Sequence, residues 1–156
     1  EGGNIMLPKD DDHVMQCCDV KSMIRFMETC FHNQSKGAFN VAMKTITFDH
    51  YVNEVTELTS KSHKKIWVPR DFLAEQGVEP YRHLPFWRPQ QPGFYHINVN
   101  KSLKAGLESR SIKEMVSDQL EGYVRRNPKQ DFMWGFVGTI SRQKERKILD
   151  AWAQNS

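Results

Sequence analysis

What the chain has little of sets the first limits. Among its 156 residues are three cysteines, Cys17, Cys18 and Cys30, too few and too unevenly spaced for a disulfide framework. Cys17 and Cys18 are neighbours and cannot ligate a metal as a C-x-x-C pair does, so buried thiols in a reducing compartment are the simplest expectation. No apolar run approaches the ~20 residues needed to cross a bilayer. Glu1-Gly2-Gly3-Asn4 has neither the basic nor the apolar stretch of a secretory signal. Together these predict a cytoplasmic protein without membrane contact.

Glycine is scarce where nucleotide chemistry needs it. The nine glycines form no G-x-G-x-x-G turn; Gly135-Phe136-Val137-Gly138 lacks the third member, and none is followed by Lys-Ser or Lys-Thr as in a P-loop. The six histidines, at 13, 32, 50, 63, 83 and 96, show no H-x-x-x-H spacing and no cysteine at ligand distance in sequence, so no metal site is expected. No G-x-S-x-G elbow nominates a nucleophile. Asp10-Asp11-Asp12 lacks the spaced oxygens and terminal glutamate of a calcium loop and reads as a solvated turn. There is no internal repeat and no low-complexity stretch.

Charge is close to balanced. Twenty-two basic and nineteen acidic residues give +3, a common solubility pattern. The basic residues Arg125, Arg126, Arg142, Lys144, Arg146 and Lys147 lie on C-terminal helices, and Arg125 and Arg126 at a helix end complement its dipole. No nucleic-acid partner is expected.

What is present alternates between two periods. His13 to Cys18 reads as a loose strand. A helix follows with Met23, Ile24, Met27 and Phe31 at helical spacing and Ser22 as its N-cap. Gly37 to Ala42 reads as a short buried strand. A helix capped by Thr47 then carries Phe48, Tyr51, Val52, Val55 and Leu58 on one face. Lys65 to Val68 is a compact strand ended by Pro69, and Pro69 to Gln76 a short helix closed by Gly77. Val78 to Pro92, rich in proline and aromatic residues, forms an irregular wall. Phe94 to Val99 reads as a strand, Asn100 caps a short helical turn closed by Gly106, and Ser111-Ile112-Lys113-Glu114 is a capping box for a helix that stops before Pro128. A last helix spans Ser141 to about Ala153. Strands alternating with helices predict an α/β fold.

The order of these pieces resembles the C-terminal half of the extended short-chain dehydrogenase/reductases, the NAD-dependent epimerase/dehydratase family. The residues that carry the resemblance are Gln16-Cys17-Cys18-Asp19-Val20-Lys21-Ser22, Gly37-Ala38-Phe39-Asn40-Val41, Trp67-Val68-Pro69, Phe72 through Pro80, Leu84-Pro85-Phe86-Trp87 and Phe94 through Ser102. Ala105-Gly106-Leu107, the capping box at Ser111 and the ending in Ala151-Trp152 complete it. The flavour is that of the bacterial reductases of the group. The resemblance covers essentially the whole chain and implies a single unit, residues 1–156, corresponding to the C-terminal part of a Rossmann-type enzyme. In it, residues 37–60 would complete the missing cofactor domain and the rest would form the lobe over the substrate.

The same resemblance implies what is missing. The family keeps its glycine-rich nucleotide turn and its catalytic Tyr-x-x-x-Lys pair in the N-terminal half. Here the residues four after Tyr51, Tyr81, Tyr95 and Tyr123 are Val55, Pro85, Val99 and Asn127, and no lysine is in register. The chain is therefore expected to hold no catalytic residue and no cofactor by itself, with NAD or NADP implied for the full-length family. The partner expected is the missing N-terminal cofactor domain, or a second copy by self-association. A phosphate-gripping arginine of the nucleotide-sugar epimerases falls on Met15, and Arg88 lies close to the register of another but is followed by Pro89-Gln90-Gln91. This implies a small apolar or weakly anionic substrate held by Arg88, Tyr81, Phe86, Trp87 and Phe94. A non-catalytic binding or interaction module derived from that lobe is the alternative.

Overall fold

The computed structural model describes residues 3–10, 13–58, 62–84, 86–89, 93–126 and 140–155. Asp11, Asp12, Ser60, Pro85, Gln90 to Pro92, Asn127-Pro128 and Gly135 to Gly138 lie outside the described residues. The elements in order are β1 (Gly3–Lys9), β2 (Val14–Met15), α1 (Val20–His32), β3 (Ile46–Thr47), α2 (Phe48–Glu57), β4 (His63–Pro69), α3 (Arg70–Glu75), α4 (Asn100–Lys104), α5 (Ile112–Arg126) and α6 (Arg142–Asn155). The architecture is mixed α/β, with short strands, helices and a small parallel sheet. The chain forms two compact units, each discontinuous in sequence: Glu1–His13, Thr59–Pro92 and Pro128–Ser156 in one, Val14–Leu58 and Gly93–Asn127 in the other.

The first unit is built on β1 and β4, which pair in parallel from Gly3 opposite His63 to Lys9 opposite Pro69. β1 goes beyond the sequence expectation. Its apolar run, Ile5-Met6-Leu7, is short, and Pro8 reads as the start of the polar turn. Yet Met6, Leu7 and Pro8 are all buried. Proline is tolerated because residues two apart on a strand face the same way. The Met6 N–H turns away from β4 and donates to Glu145 Oε1 on α6 at 3.2 Å, so the Pro8 nitrogen also faces away from the ladder and no ladder bond is lost. The core gathers Met6, Val68, Leu73, Val78, Trp87, Ile148 and Leu149, and the rings of Phe72 and Trp152 lie 5.1 Å apart beside it.

In the second unit β2 and β3 form a two-residue antiparallel pair, Val14 opposite Thr47 and Met15 opposite Ile46, so the strand expected over His13–Cys18 is reduced to two residues. Thr47 caps α2 as expected, accepting the His50 N–H at 3.2 Å. The capping box at α5 also forms: Ser111 N–H donates to Glu114 Oε2 at 2.9 Å, and Glu114 N–H donates to Ser111 Oγ at 3.2 Å. Met43, Ile112 and Met115 make the core here, flanked by Ile46, Tyr51, Val55 and Val116.

Helix α1 departs from expectation in two ways. Its N-cap is Asp19, whose carboxylate accepts from the Lys21 and Ser22 backbone N–H groups, and Ser22 sits one turn inside. Its apolar stripe Met23, Ile24, Met27 and Phe31 is exposed, while Ser22 and Phe26 are buried. A polar anchor accounts for the orientation. Ser22 Oγ donates to Asp19 Oδ2 at 2.6 Å and accepts the Arg110 N–H at 3.2 Å, and Arg110 Nη1 reaches Asp118 at 2.6 Å and Asp19 at 3.4 Å. Burial raises the Asp19 pKa, but hydrogen bonds from Ser22 and Arg110 outweigh it and hold the carboxyl below its ordinary value. With those groups facing inward, helical periodicity turns the methionine stripe outward.

Two further expected strands do not form. Among the described residues, Gly37–Ala42 and Phe94–Val99 have no strand ladder. The second segment instead begins as a turn, with His96 N–H bonded to Gly93 O at 2.9 Å. Strand-like sequence without a paired backbone neighbour stays irregular, and its polar groups must be satisfied another way. Side chains do this. Lys101 Nζ donates to Ala38 O at 2.7 Å, Ser102 Oγ to Asn40 O, Asn40 Nδ2 to Asn98 O at 3.0 Å and Thr45 Oγ1 to Tyr95 O at 3.0 Å.

Candidate functional site

The candidate residues Tyr81, Phe86, Trp87 and Arg88 sit in one loop of the first unit. Its start is fixed by the exit of α3. Gly77 adopts φ 64°, a left-handed conformation that favours glycine, so that Val78 N–H can return to Leu73 O at 2.9 Å and Gly77 N–H to Ala74 O at 2.9 Å, the bonding that ends many helices. Lys144 Nζ donates to Gly77 O at 2.7 Å. The loop then closes on itself. His83 N–H donates to Glu79 O at 3.0 Å, Trp87 N–H to Leu84 O at 3.0 Å and Tyr81 N–H to Trp87 O at 2.9 Å. His83 Nδ1 accepts the Glu79 N–H at 2.8 Å, so this nitrogen carries no proton. Burial lowers the His83 pKa, Lys144 and Arg82 lower it further, and Glu79 opposes them.

The loop divides its aromatics between two duties. Trp87 is 1% exposed and belongs to the core. Its Nε1–H donates to Asp10 Oδ2 at 3.1 Å, satisfying the one polar atom that burial of an indole leaves. Trp87 is thus an anchor and not part of an open wall. Tyr81 and Phe86 are exposed, and the Arg88 guanidinium carbon lies 3.6 Å from the Tyr81 ring centroid. At that distance the aromatic face attracts the half-buried cation. Tyr81 holds a positive φ of 63°, a conformation uncommon for a bulky residue, which aims its ring from the loop. Phe94 falls in the second unit, where its ring meets Tyr95 edge to face at 4.9 Å. Four of the five residues therefore share one loop, and Phe94 belongs to another environment.

No protein-family model, curated protein or solved structure matches the chain.

A half-buried arginine on an aromatic face is suited to a planar or weakly anionic group, which could bond the guanidinium edge while covering the adjoining rings. Beneath the loop lies His13, buried near Asp10. Burial lowers its pKa, against the opposing effects of Asp10 and a hydrogen bond to the Phe86 backbone. A separate cleft of about 420 Å³ lies between Gly3–Asn4 and α6, lined by Arg142, Glu145, Arg146, Leu149 and Asp150. Its two arginines face two carboxylates, so it presents no net charge. Among the described residues, no three His, Cys, Asp or Glu side chains come together to hold a metal ion, and no helix is long and apolar enough to cross a membrane.

Sequence reasoning missed Gln16. This buried residue bonds in three directions: its Oε1 accepts Ile97 N–H at 2.8 Å, while its Nε2 donates to Ile97 O at 2.9 Å and to Met43 O at 3.0 Å. One amide therefore clamps the Phe94–Val99 segment to the stretch before β3. The signal that could have found it is a lone amide among the apolar and thiol side chains of Met15, Cys17 and Cys18.

Proposed function

We propose that the chain is the substrate-binding portion of an NAD(P)-dependent oxidoreductase or epimerase-like protein of the extended short-chain dehydrogenase/reductase type. The nucleotide turn and the catalytic Tyr-Lys pair are supplied by a separate cofactor-binding unit. Arg88, Tyr81 and Phe86 take a small apolar or weakly anionic substrate. The observation that carries this reading is Gly37–Ala42. The segment has the composition of a buried strand, yet among the described residues it pairs with no strand. A larger parallel sheet, belonging to the cofactor unit, would give it a ladder. The parallel pair β1 and β4 fits the same picture, because parallel strands belong mostly to α/β folds whose sheets are larger and covered by helices.

Calorimetry with NADP(H) tests the division of labour: the chain alone gives no binding heat, and a micromolar dissociation constant would contradict it. Titration with an aromatic carboxylate such as benzoate tests the ligand loop. Weak binding lost in Arg88→Ala supports the assignment, and binding unchanged by that substitution removes it.

The alternative is a non-catalytic interaction module derived from the same lobe, and the exposed stripe on α1 favours it. Under that reading Arg88→Ala has no consequence for any small ligand, and the function lies on the helix face.

A further inference from the structure

Helix α1 leaves Val20, Met23, Ile24, Met27 and Phe31 exposed at 64, 40, 48, 61 and 82%. Their offsets from Val20 are 3, 4, 7 and 11, which places all five on one continuous stripe. The opposite face is committed: Ser22 is tied to Asp19 and Arg110, and the buried Phe26 meets Phe39 edge to face at 5.6 Å. The stripe amounts to roughly 500 Å² of apolar surface, at the upper end of what a monomer leaves uncovered and more than scattered surface residues explain.

We infer that this stripe pairs with the same stripe of a second copy of the chain, as an antiparallel helix pair. Three features select a second copy. The first is area. Complete burial of two such faces would cover about 1,000 Å² at most, the low end for a specific interface and in the range of a weak, reversible dimer. The second is order. A two-fold interface brings one patch onto itself. With the axis between Arg25 and Phe26, Val20 meets Phe31 of the second copy, Ile24 meets Met27 and Met23 meets Glu28, a smaller side chain against a larger one at the ends and matched apolar ones in the middle. The two methionines add the adaptability that lets such a contact pack. The third is charge. Lys21 and Glu28 lie seven residues apart on the same border of the stripe. Reversal of one helix about that axis leaves each two residues, about 3 Å along the helix, from the opposite charge of the other copy, within reach of a long side chain. Lys21 Nζ already contacts Asp118 at 2.7 Å, so it would bridge the two.

The inference stands on α1 alone and needs neither reading of function, since its readout is oligomeric state. Sedimentation of the full chain over a concentration series bracketing about 10 µM is expected to show a monomer–dimer equilibrium. Met27→Glu should weaken it at least about tenfold by placing a charge in the contact. Leu120→Glu, at an exposed apolar position on α5, should leave it unchanged. Glu28→Lys alters only an exposed charge, so it keeps the fold if Met27→Glu does not. It should weaken dimerisation several-fold, with the difference fading at high salt. A chain that stays monomeric throughout the series would overturn the inference. So would a dimer that Met27→Glu and Glu28→Lys leave intact, or one that Leu120→Glu disrupts as strongly.

Discussion

The two units hold their chain by different means. In the first, β1 and β4 are joined by a backbone ladder, and side chains fill the core around it. In the second, among the described residues, the segments at 38–45 and 95–98 have no ladder. Gln16, Asn40, Thr45, Lys101 and Ser102 tie them through side-chain bonds to carbonyl oxygens and, at Ile97, an amide. A ladder uses groups that every residue but proline carries, so it survives most substitutions. A side-chain zip depends on particular residues and can be opened by one change. The first unit should therefore fail through its core, and the second through single polar side chains.

The largest effect should come from the core. Trp87→Ala removes a buried indole and orphans an Asp10 contact, and is expected to cost about 3–5 kcal/mol, measured by urea denaturation. A loss near ~1 kcal/mol would mean that the loop does not depend on its anchor. Gln16→Leu keeps the volume and removes three bonds. The penalty expected is about 1–3 kcal/mol, since buried amide and carbonyl groups are left unpaired, with faster hydrogen exchange at Ile97. If the exchange at Ile97 does not change, Gln16 is not the clamp. Asp19→Ala deletes the α1 cap at a cost of about 1–2 kcal/mol, partly because Arg110 loses one of its partners. Thermal melts that match the parent would refute the anchor.

The smallest effect is a pH dependence near neutrality carried by two histidines of the first unit. Burial lowers the pKa of both His13 and His83 below 6.5 in the folded chain. The unfolded chain therefore binds protons first as pH falls. Stability is complete above 6.5 and declines as pH drops through that value toward the lower folded ones. His83→Gln, which can still accept at the Glu79 amide, should blunt the decline. An unchanged slope of urea midpoint against pH would assign the effect elsewhere.

How much of this was legible follows the same contrast. Local chemistry was readable: the capping box at Ser111, the cap at Thr47, the left-handed exit at Gly77 and the apolar face of α2 need only neighbours in sequence. Long-range satisfaction was not. β1 is short and contains Pro8, and only its pairing with β4 makes it a strand. The stripe on α1 has a periodicity that says helix but not which face is covered; Asp19, Ser22 and Arg110 decide that, and Arg110 is 88 residues from Ser22. Of the candidate residues, four lie in the loop that proline and aromatic content marks in the sequence. Composition could not separate the buried Trp87 from the exposed Phe86 beside it.

Hydrogen exchange at Ala38 to Ala42, followed residue by residue in the isolated chain, tests the central claim most directly. If this segment is a strand of a sheet that another unit completes, its amides exchange at rates near those of an unstructured peptide while the β4 amides are protected. Protection there equal to that of β4 would mean the segment already has its partner, and would contradict the assignment of the chain as one half of a cofactor-dependent enzyme.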